Sequence, residues 1–302
     1  MKNIILVAAA LFAAGNAAYA CDVCGAGAGG QYIGLLPAFS RNFAGIQYLR
    51  SDMYGAFASA YKGRPDEHTH DVFHTLQVWG RYRIGRYQVF AFVPYRYNVR
   101  RSTETGDLAS SGMGDVSLLL NRVFVERQQG RVRHTLFGGL GAKLPTGHYT
   151  SIMGAGNVQA MSPGTGSWDV LANANYTLLR GNSGMNADVS GTLTTTSPGG
   201  YRYGSRVGMG VSVFRAYTVG QVRISPQVGV RYEYAQADEY EHYKGWVNTA
   251  SGGDILFAST GAQVAYRQHG IRAMCLAPVY AHYAGGDIRP NYRTETGYFI
   301  LF

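Results

Sequence analysis

The chain has 302 residues, 46% hydrophobic, 13% aromatic and only 15% charged, with 41 Gly, 23 Tyr and a net charge of +9. Such sparse charge and high hydrophobicity exclude intrinsic disorder, and beyond residue 20 no run of about 18 apolar residues supplies a membrane-spanning helix. The hydrophobicity must therefore be spread by alternation, as in strands with two unlike faces.

Met1-Lys2-Asn3 opens with a positive charge, Ile4 to Ala14 is apolar, and Ala18-Tyr19-Ala20 puts small residues where signal peptidase reads. This pattern predicts a secretory signal peptide over residues 1–20, cleaved after Ala20. The mature chain then starts at Cys21, a position open to lipidation, although Ala18 stands where lipoprotein processing favours Leu. Residues 21–42 are Gly-rich at first and apolar from Tyr32 to Phe39. They read equally as a partial plug of a lumen or as a periplasmic tail. Within them Cys21-Asp22-Val23-Cys24 admits a local disulfide, a soft-metal site, or lipidated Cys21 beside free Cys24. The Cys21–Cys24 disulfide is the working expectation. No His follows Cys24, which disfavours covalent haem.

Alternation then recurs segment after segment, over 43–51, 72–84, 86–99, 115–126, 132–144, 167–180, 184–196, 204–217, 220–234, 254–267, 270–283 and 293–302. In 86–99, for example, Tyr87, Val89, Ala91, Val93, Tyr95 and Tyr97 share one face, and Gln88, Arg96 and Asn98 lie on the other. Most segments reach the 9–11 residues that cross a bilayer as a tilted strand. Short links such as Ile84-Gly85-Arg86 alternate with long ones such as 145–166, the asymmetry of an up-and-down barrel with tight periplasmic turns and long outer loops. The expected fold is an all-β transmembrane antiparallel barrel of 12 strands over 43–302, with 14 strands as the alternative. The last strand ends Tyr298-Phe299-Ile300-Leu301-Phe302, resembling the C-terminal signal read by the barrel-assembly machinery, with Phe302 as the terminal residue. The expected location is the cell outer membrane, with its lipid bilayer and a small-molecule solute as partners and no nucleic acid.

If the apolar face meets lipid, the other face looks inward. The residues expected to line a pore are Arg81, Arg83, Arg96, Asp115, Arg133, Lys143, Asp169, Arg223, Arg231 and Glu233. Basic groups outnumber acidic ones in this lining, which suggests a preference for anionic or polar-aromatic solutes. The competing reading is that these charges pair across a small lumen and brace it. In the first outer loop, His68, His70 and His74 lie among Asp66, Glu67 and Asp71 and could hold Zn or Cu, since imidazole suits both. A solvated loop accounts for them as well. Neither His134 nor His282 has a Ser at a matching position on its face, so no hydrolytic triad is expected. The chain reads as a non-enzyme needing no cofactor.

Three motifs occur in order around the long 145–166 link: Gly112-Met113-Gly114-Asp115, Leu144-Pro145-Thr146-Gly147, and Pro163-Gly164-Thr165-Gly166-Ser167-Trp168-Asp169. Together they resemble the outer-membrane transporter-like family named for the meta-pathway of phenol degradation. Asp22-Val23-Cys24-Gly25 is similar to the start of its Bacteroidetes-type members. The resemblance implies a porin-like barrel and uptake of small aromatic or hydrophobic compounds. The motif residues are themselves expected to shape the loop from Pro145 to Gly166 into a constriction. The function expected is a channel or transporter for passive passage of small solutes. The alternatives are a Zn- or Cu-binding surface protein and a closed structural barrel.

Overall fold

The computed structural model describes residues 41–57, 66–103, 106–149, 161–240, 246–247 and 251–302. The leader, the plug-or-tail stretch up to residue 40 and the Cys21–Cys24 pair lie outside the described residues.

In chain order the strands are β1 (Phe43–Phe57), β2 (Glu67–Ile84), β3 (Tyr87–Ser102), β4 (Leu108–Met113), β5 (Ser117–Gln129), β6 (Val132–Lys143), β7 (Asp169–Arg180), β8 (Ser183–Leu193), β9 (Tyr201–Arg202), β10 (Arg206–Arg215), β11 (Tyr217–Val219), β12 (Val222–Ala235), β13 (Glu239–Tyr240), β14 (Trp246–Val247), β15 (Gly253–Tyr266), β16 (His269–Tyr283) and β17 (Ile288–Leu301). β4 and β5 both pair with β3 and form one wall strand broken at Gly114; β10 and β11 likewise both pair with β12. The wall therefore has twelve antiparallel strands, while β9, β13 and β14 form a small separate sheet in the long loops. β1 closes the circle, with Phe43 opposite Arg81 of β2 and Leu301 of β17.

The strands run further at the long-loop end than hydrophobic alternation indicates. β2 starts at Glu67, opposite Phe57, and β17 starts at Ile288. Backbone pairing continues there after the apolar pattern has faded into Glu67, His68 and Asp71. His68, His70 and His74 consequently lie on a strand and not in a loop.

The two faces are as unlike as the alternation predicts. Val78, Leu120, Val228 and Ile271 on the outside are 54–60% exposed, whereas Phe90, Asn98, Asn121 and Gln263 on the inside are 0–2% exposed. An outer surface of Val, Leu and Ile is the belt that hydrocarbon solvates. Tyrosines edge it at both ends, Tyr82, Tyr87 and Tyr266 near the short turns and Tyr48, Tyr97 and Tyr234 nearer the long loops. Several hydroxyls bond a histidine on the neighbouring strand: Tyr48 to His74 at 2.6 Å, Tyr176 to His134 at 2.8 Å and Tyr298 to His269 at 2.6 Å. An aromatic ring with a satisfied polar tip suits a membrane interface.

Val78 sits midway along β2 between Tyr82 and His74. Val78→Arg is expected to destabilise the barrel by about 2–4 kcal/mol, and Tyr82→Arg at the belt edge by about 0–1 kcal/mol. Guanidinium unfolding in lipid vesicles measures both.

Candidate functional site

The interior is where the polar parity of every wall strand converges, and the three sequence motifs meet inside it. Asp115, 4% exposed, stands in the break between β4 and β5. Its Oδ1 accepts from the Gly147 amide at 3.0 Å; its Oδ2 accepts from the Thr165 amide at 2.8 Å and the Thr165 hydroxyl at 2.7 Å. Lys143 Nζ, at the end of β6, lies 3.6 Å from Asp115, donates to Thr165 Oγ1 at 2.6 Å and pairs directly with Asp169. Asp169 also accepts from the Ser167 hydroxyl at 2.9 Å. From β3, Arg96 donates to the Pro163 carbonyl at 2.9 Å, and Asn98 to the Met161 carbonyl at 2.9 Å.

The glycines of these motifs allow the two ends of the loop to touch. A Cβ on Gly147 would lie 2.8 Å from the Gly164 Cα, and one on Gly164 would lie 2.7 Å from the Gly147 carbonyl carbon. Gly166 has φ +68° with the Tyr149 ring packed against it, a backbone state that glycine adopts without strain. Residues 161–165 are all buried. The described ends of the 145–166 loop are thus drawn into the barrel and held by a buried polar latch.

Four of the ten predicted lining residues, Arg96, Asp115, Lys143 and Asp169, belong to this latch. Arg231 and Glu233 belong to a second cluster across the interior. Arg231 pairs with Asp188 at 3.0 Å and with Glu233 at 2.8 Å, and Glu233 also takes Arg293 at 2.8 Å. Arg81, 4% exposed, bonds the Arg41 carbonyl and lies over the Phe43 ring at 5.3 Å. Arg223 is half-buried on the same parity of β12 as Arg231. The remaining two sit at the short-turn rim, Arg83 against Glu126 at 2.7 Å and exposed Arg133 donating to Gln128 at 3.2 Å.

Sequence reading places Glu295 on the inward face but does not single out Asp71, Arg100, Asp188, Arg272 or Arg293, which complete these charge pairs. Arg100 grips Asp71 with two bonds of 2.7 and 2.5 Å, and Arg272 meets Glu295 at 3.3 Å. Asp71 falls in the first outer loop by sequence, yet it lies directly opposite Arg100 in the ladder. Asp188 shares the inward parity of Asn186 and was legible on that ground. The buried interior carboxylates Asp71, Asp115, Asp169, Asp188, Glu233 and Glu295 each face a cation, so the lining is not one-signed as the basic excess suggested.

The three histidines point outward with His74 beside Tyr48 and Tyr97, and His70 stacked on Tyr54 at 4.4 Å. From His68 to His74 is six residues, about 20 Å along a strand, too far for one ion. Among the described residues no group of three metal-ligating side chains assembles.

Nearer the short turns, ten buried apolar side chains from seven strands form one cluster: Phe43, Trp79, Phe90, Phe92, Leu119, Val123, Phe137, Leu171, Phe299 and Leu301. Phe43 and Trp79 pack edge to face at 4.7 Å, and Phe90 stacks on Phe92 at 6.4 Å and on Phe137 at 6.3 Å.

In the long loops, Asp238 links Tyr201 of β9 to Ser251. Its Oδ2 accepts from the Tyr201 hydroxyl and its Oδ1 from the Gly204 amide, both at 2.6 Å, while its own amide donates to Ser251 Oγ at 2.6 Å. Burial pushes its carboxyl up to about 6, against the lowering effect of the Tyr201 bond.

No protein-family model matches the chain, and no curated protein matches it. Among solved structures, an outer membrane channel from Pseudomonas putida F1 shares the fold with a TM-score of 0.62 and 16% identity, covering 90% of this chain and 98% of that one. The β domain of a Bordetella autotransporter (TM-score 0.41, 13% identity, 86% and 99% covered) and the translocator domain of a Neisseria meningitidis autotransporter (0.42, 10%, 92% and 96%) are more distant.

Two outcomes follow from the latch and the loop tie. Asp115→Ala strips the acceptor from three donors and leaves Lys143 short of a partner. It should cost about 3–5 kcal/mol in equilibrium unfolding, as removing one member of a buried pair does, against about 1 kcal/mol or less for Arg83→Ala at the exposed rim. Asp238 holds its proton more tightly in the folded loops than in an unfolded chain, where its pKa is about 3.9. The tie is therefore strongest below about pH 4, weakens as pH rises to about 6, and is level above. Hydrogen exchange of the 199–205 amides, corrected for intrinsic rate, should be slower at pH 4.5 than at pH 7.5, and Asp238→Asn should abolish the difference.

Proposed function

We propose that this protein spans the outer membrane as a channel for the passive passage of small solutes. The observation that carries the reading is the closed twelve-strand wall, apolar outside and polar over much of its inside. A protein that buried a core in water would have no use for an outer belt of exposed Val, Leu, Ile and Tyr. The even strand number puts both ends of the wall on one side, and the short turns there suit the periplasmic side of such a barrel. Phe302, 57% exposed and bonded through its amide to the Asn42 carbonyl at 3.0 Å, is there as the group offered to the barrel-assembly machinery. That the solved structure of TM-score 0.62 is described as an outer membrane channel supports the same reading.

The interior favours small solutes without strong charge selectivity. Paired carboxylates and guanidinium groups focus little net field, and the latched loop narrows the path from the outer side. Uptake of small aromatic or hydrophobic compounds agrees with the ring-lined inner end. A non-catalytic role is part of this proposal, as is the absence of a resident cofactor.

Proteoliposome swelling in a size series of neutral solutes tests the channel. The smallest members should enter faster than into protein-free vesicles and the largest should not. Equal rates with and without protein would overturn the reading.

A further inference from the structure

Charge is mixed at the long-loop end of the wall and one-signed at the other. Near the long loops exposed arginines stand beside carboxylates, Arg50 against Asp52 at 2.7 Å and Arg202 against Glu239. Each of the five short turns, in contrast, carries an exposed arginine at or within four positions of it: Arg86, Arg131, Arg180, Arg215 and Arg267. None of the five has an ion pair among the described residues. Glu126 is the one described carboxylate side chain within the same distance of these turns, and Arg83 takes it at 2.7 Å. Two of the cations are held level with the outer tyrosines. Arg215 lies over the Tyr217 ring at 5.5 Å and Arg267 over the Tyr266 ring at 5.3 Å. They stand at the edge of the apolar belt, where a bilayer presents its headgroups.

The cations crowd most on the outer face of β5, β6 and β7. Arg127 lies opposite His134, His134 opposite Leu178, and Val132 opposite Arg180, with Arg131 in the turn between β5 and β6. Arg122 shares this face farther up β5, opposite Tyr87. Arg127 and Arg180 stand two strands apart, about 10 Å across the sheet, so a phosphate group between them is within reach of both. His134 keeps its bond to the Tyr176 hydroxyl on the same face. The two carboxylates of these strands are engaged elsewhere, Glu126 by Arg83 and Asp169 by Lys143. Toward the middle of the belt the face continues in Leu136, Leu140 and Val170, the last two 64% and 48% exposed.

We propose that this edge of the wall, through Arg127, Arg131 and Arg180, binds the headgroups of anionic phospholipids in the adjoining leaflet, with their acyl chains along Leu136, Leu140 and Val170. The planar guanidinium fork matches the oxygens of a phosphodiester, and a lipid with net negative charge is drawn to a basic rim that a zwitterionic one leaves nearly unaffected. An acidic protein docking from water would meet the turns alone. Cations at all five turns, two of them lying on outward tyrosine rings, suit a ligand that surrounds the wall, and a leaflet does. The assignment rests on the wall spanning a bilayer and not on the passage of a solute.

A tryptophan placed in the patch reads its lipid neighbours. Protein carrying Leu178→Trp, Trp168→Phe and Trp246→Phe is reconstituted in equimolar phosphatidylglycerol and phosphatidylcholine, with bromine on the chains of one lipid or the other. Trp79 stays inside the wall in every variant as a constant background. Quenching at low salt should show phosphatidylglycerol favoured at this position about fivefold, and Arg127→Gln, Arg131→Gln and Arg180→Gln together should bring the preference to within about twofold of unity. Salt at about 1 M should weaken the preference in the parent. With Val78→Trp in place of Leu178→Trp, where the ladder neighbours are Ile46 and Val93, the preference should be near unity. No preference at the patch would overturn the proposal. So would a preference that survives the three Gln substitutions, or an equal one at position 78. If the Gln variant does not fold, the salt dependence and the comparison with position 78 still decide. Preference at the patch in a protein whose vesicles pass no solute would leave the lipid site standing and remove the channel. Solute entry without that preference would do the reverse.

Discussion

Phe43 lies opposite Arg81 on one side and Leu301 on the other, and that junction removes the last free edge from the wall. Hydrocarbon offers nothing to an unpaired amide or carbonyl, so a strand-built wall in lipid has to close on itself. Closure sets what every side chain can do. Each residue of a wall strand faces either lipid or an enclosed interior, and a shift of one position would exchange the two faces completely. Val78 and Leu120 are in the belt, and Gln77 and Asn121 are inside, for this one reason.

Enclosure then changes the meaning of charge. On an open surface Arg231, Glu233 and Arg293 would be solvated and nearly independent. Inside the barrel they are buried, and a buried charge is tolerable only when paired and hydrogen-bonded. The Asp188–Arg231–Glu233–Arg293 cluster, the Arg100–Asp71 clamp and the Asp115–Lys143–Asp169 latch all meet that demand. The latch holds loop residues 161–165 buried against the wall, so one network ties the loop to the strands. Not every interior polar atom is satisfied in this way: both amide atoms of Asn121 and of Asn173 have no hydrogen-bond partner among the described residues.

The sheet was legible because alternation has a period of two and persists across an entire strand. Tyr87 to Tyr97 and Val222 to Tyr232 each announce their faces without reference to any other segment. The signal fades where both faces become polar, so alternation marks β2 only from 72 although pairing starts at Glu67, and it leaves His68 and His70 in the first outer loop. The motif around Asp115, Gly147 and Thr165 is visible in the sequence as a set. The partner of each donor was not visible, since Asp115 and Thr165 are 50 residues apart and meet only through the fold.

The sequence by itself determined the strand segments, the face each residue takes and the distinction between short and long connections, because these depend on local spacing and on the solvent each face requires. Only the tertiary structure decided which interior charges neutralise one another, that the three histidines stand apart along an outer face, and that Arg127, Arg131 and Arg180 gather at one edge of the wall. Those relations depend on register between strands distant in the chain. Register is set by closure of the whole wall, and no single segment contains it.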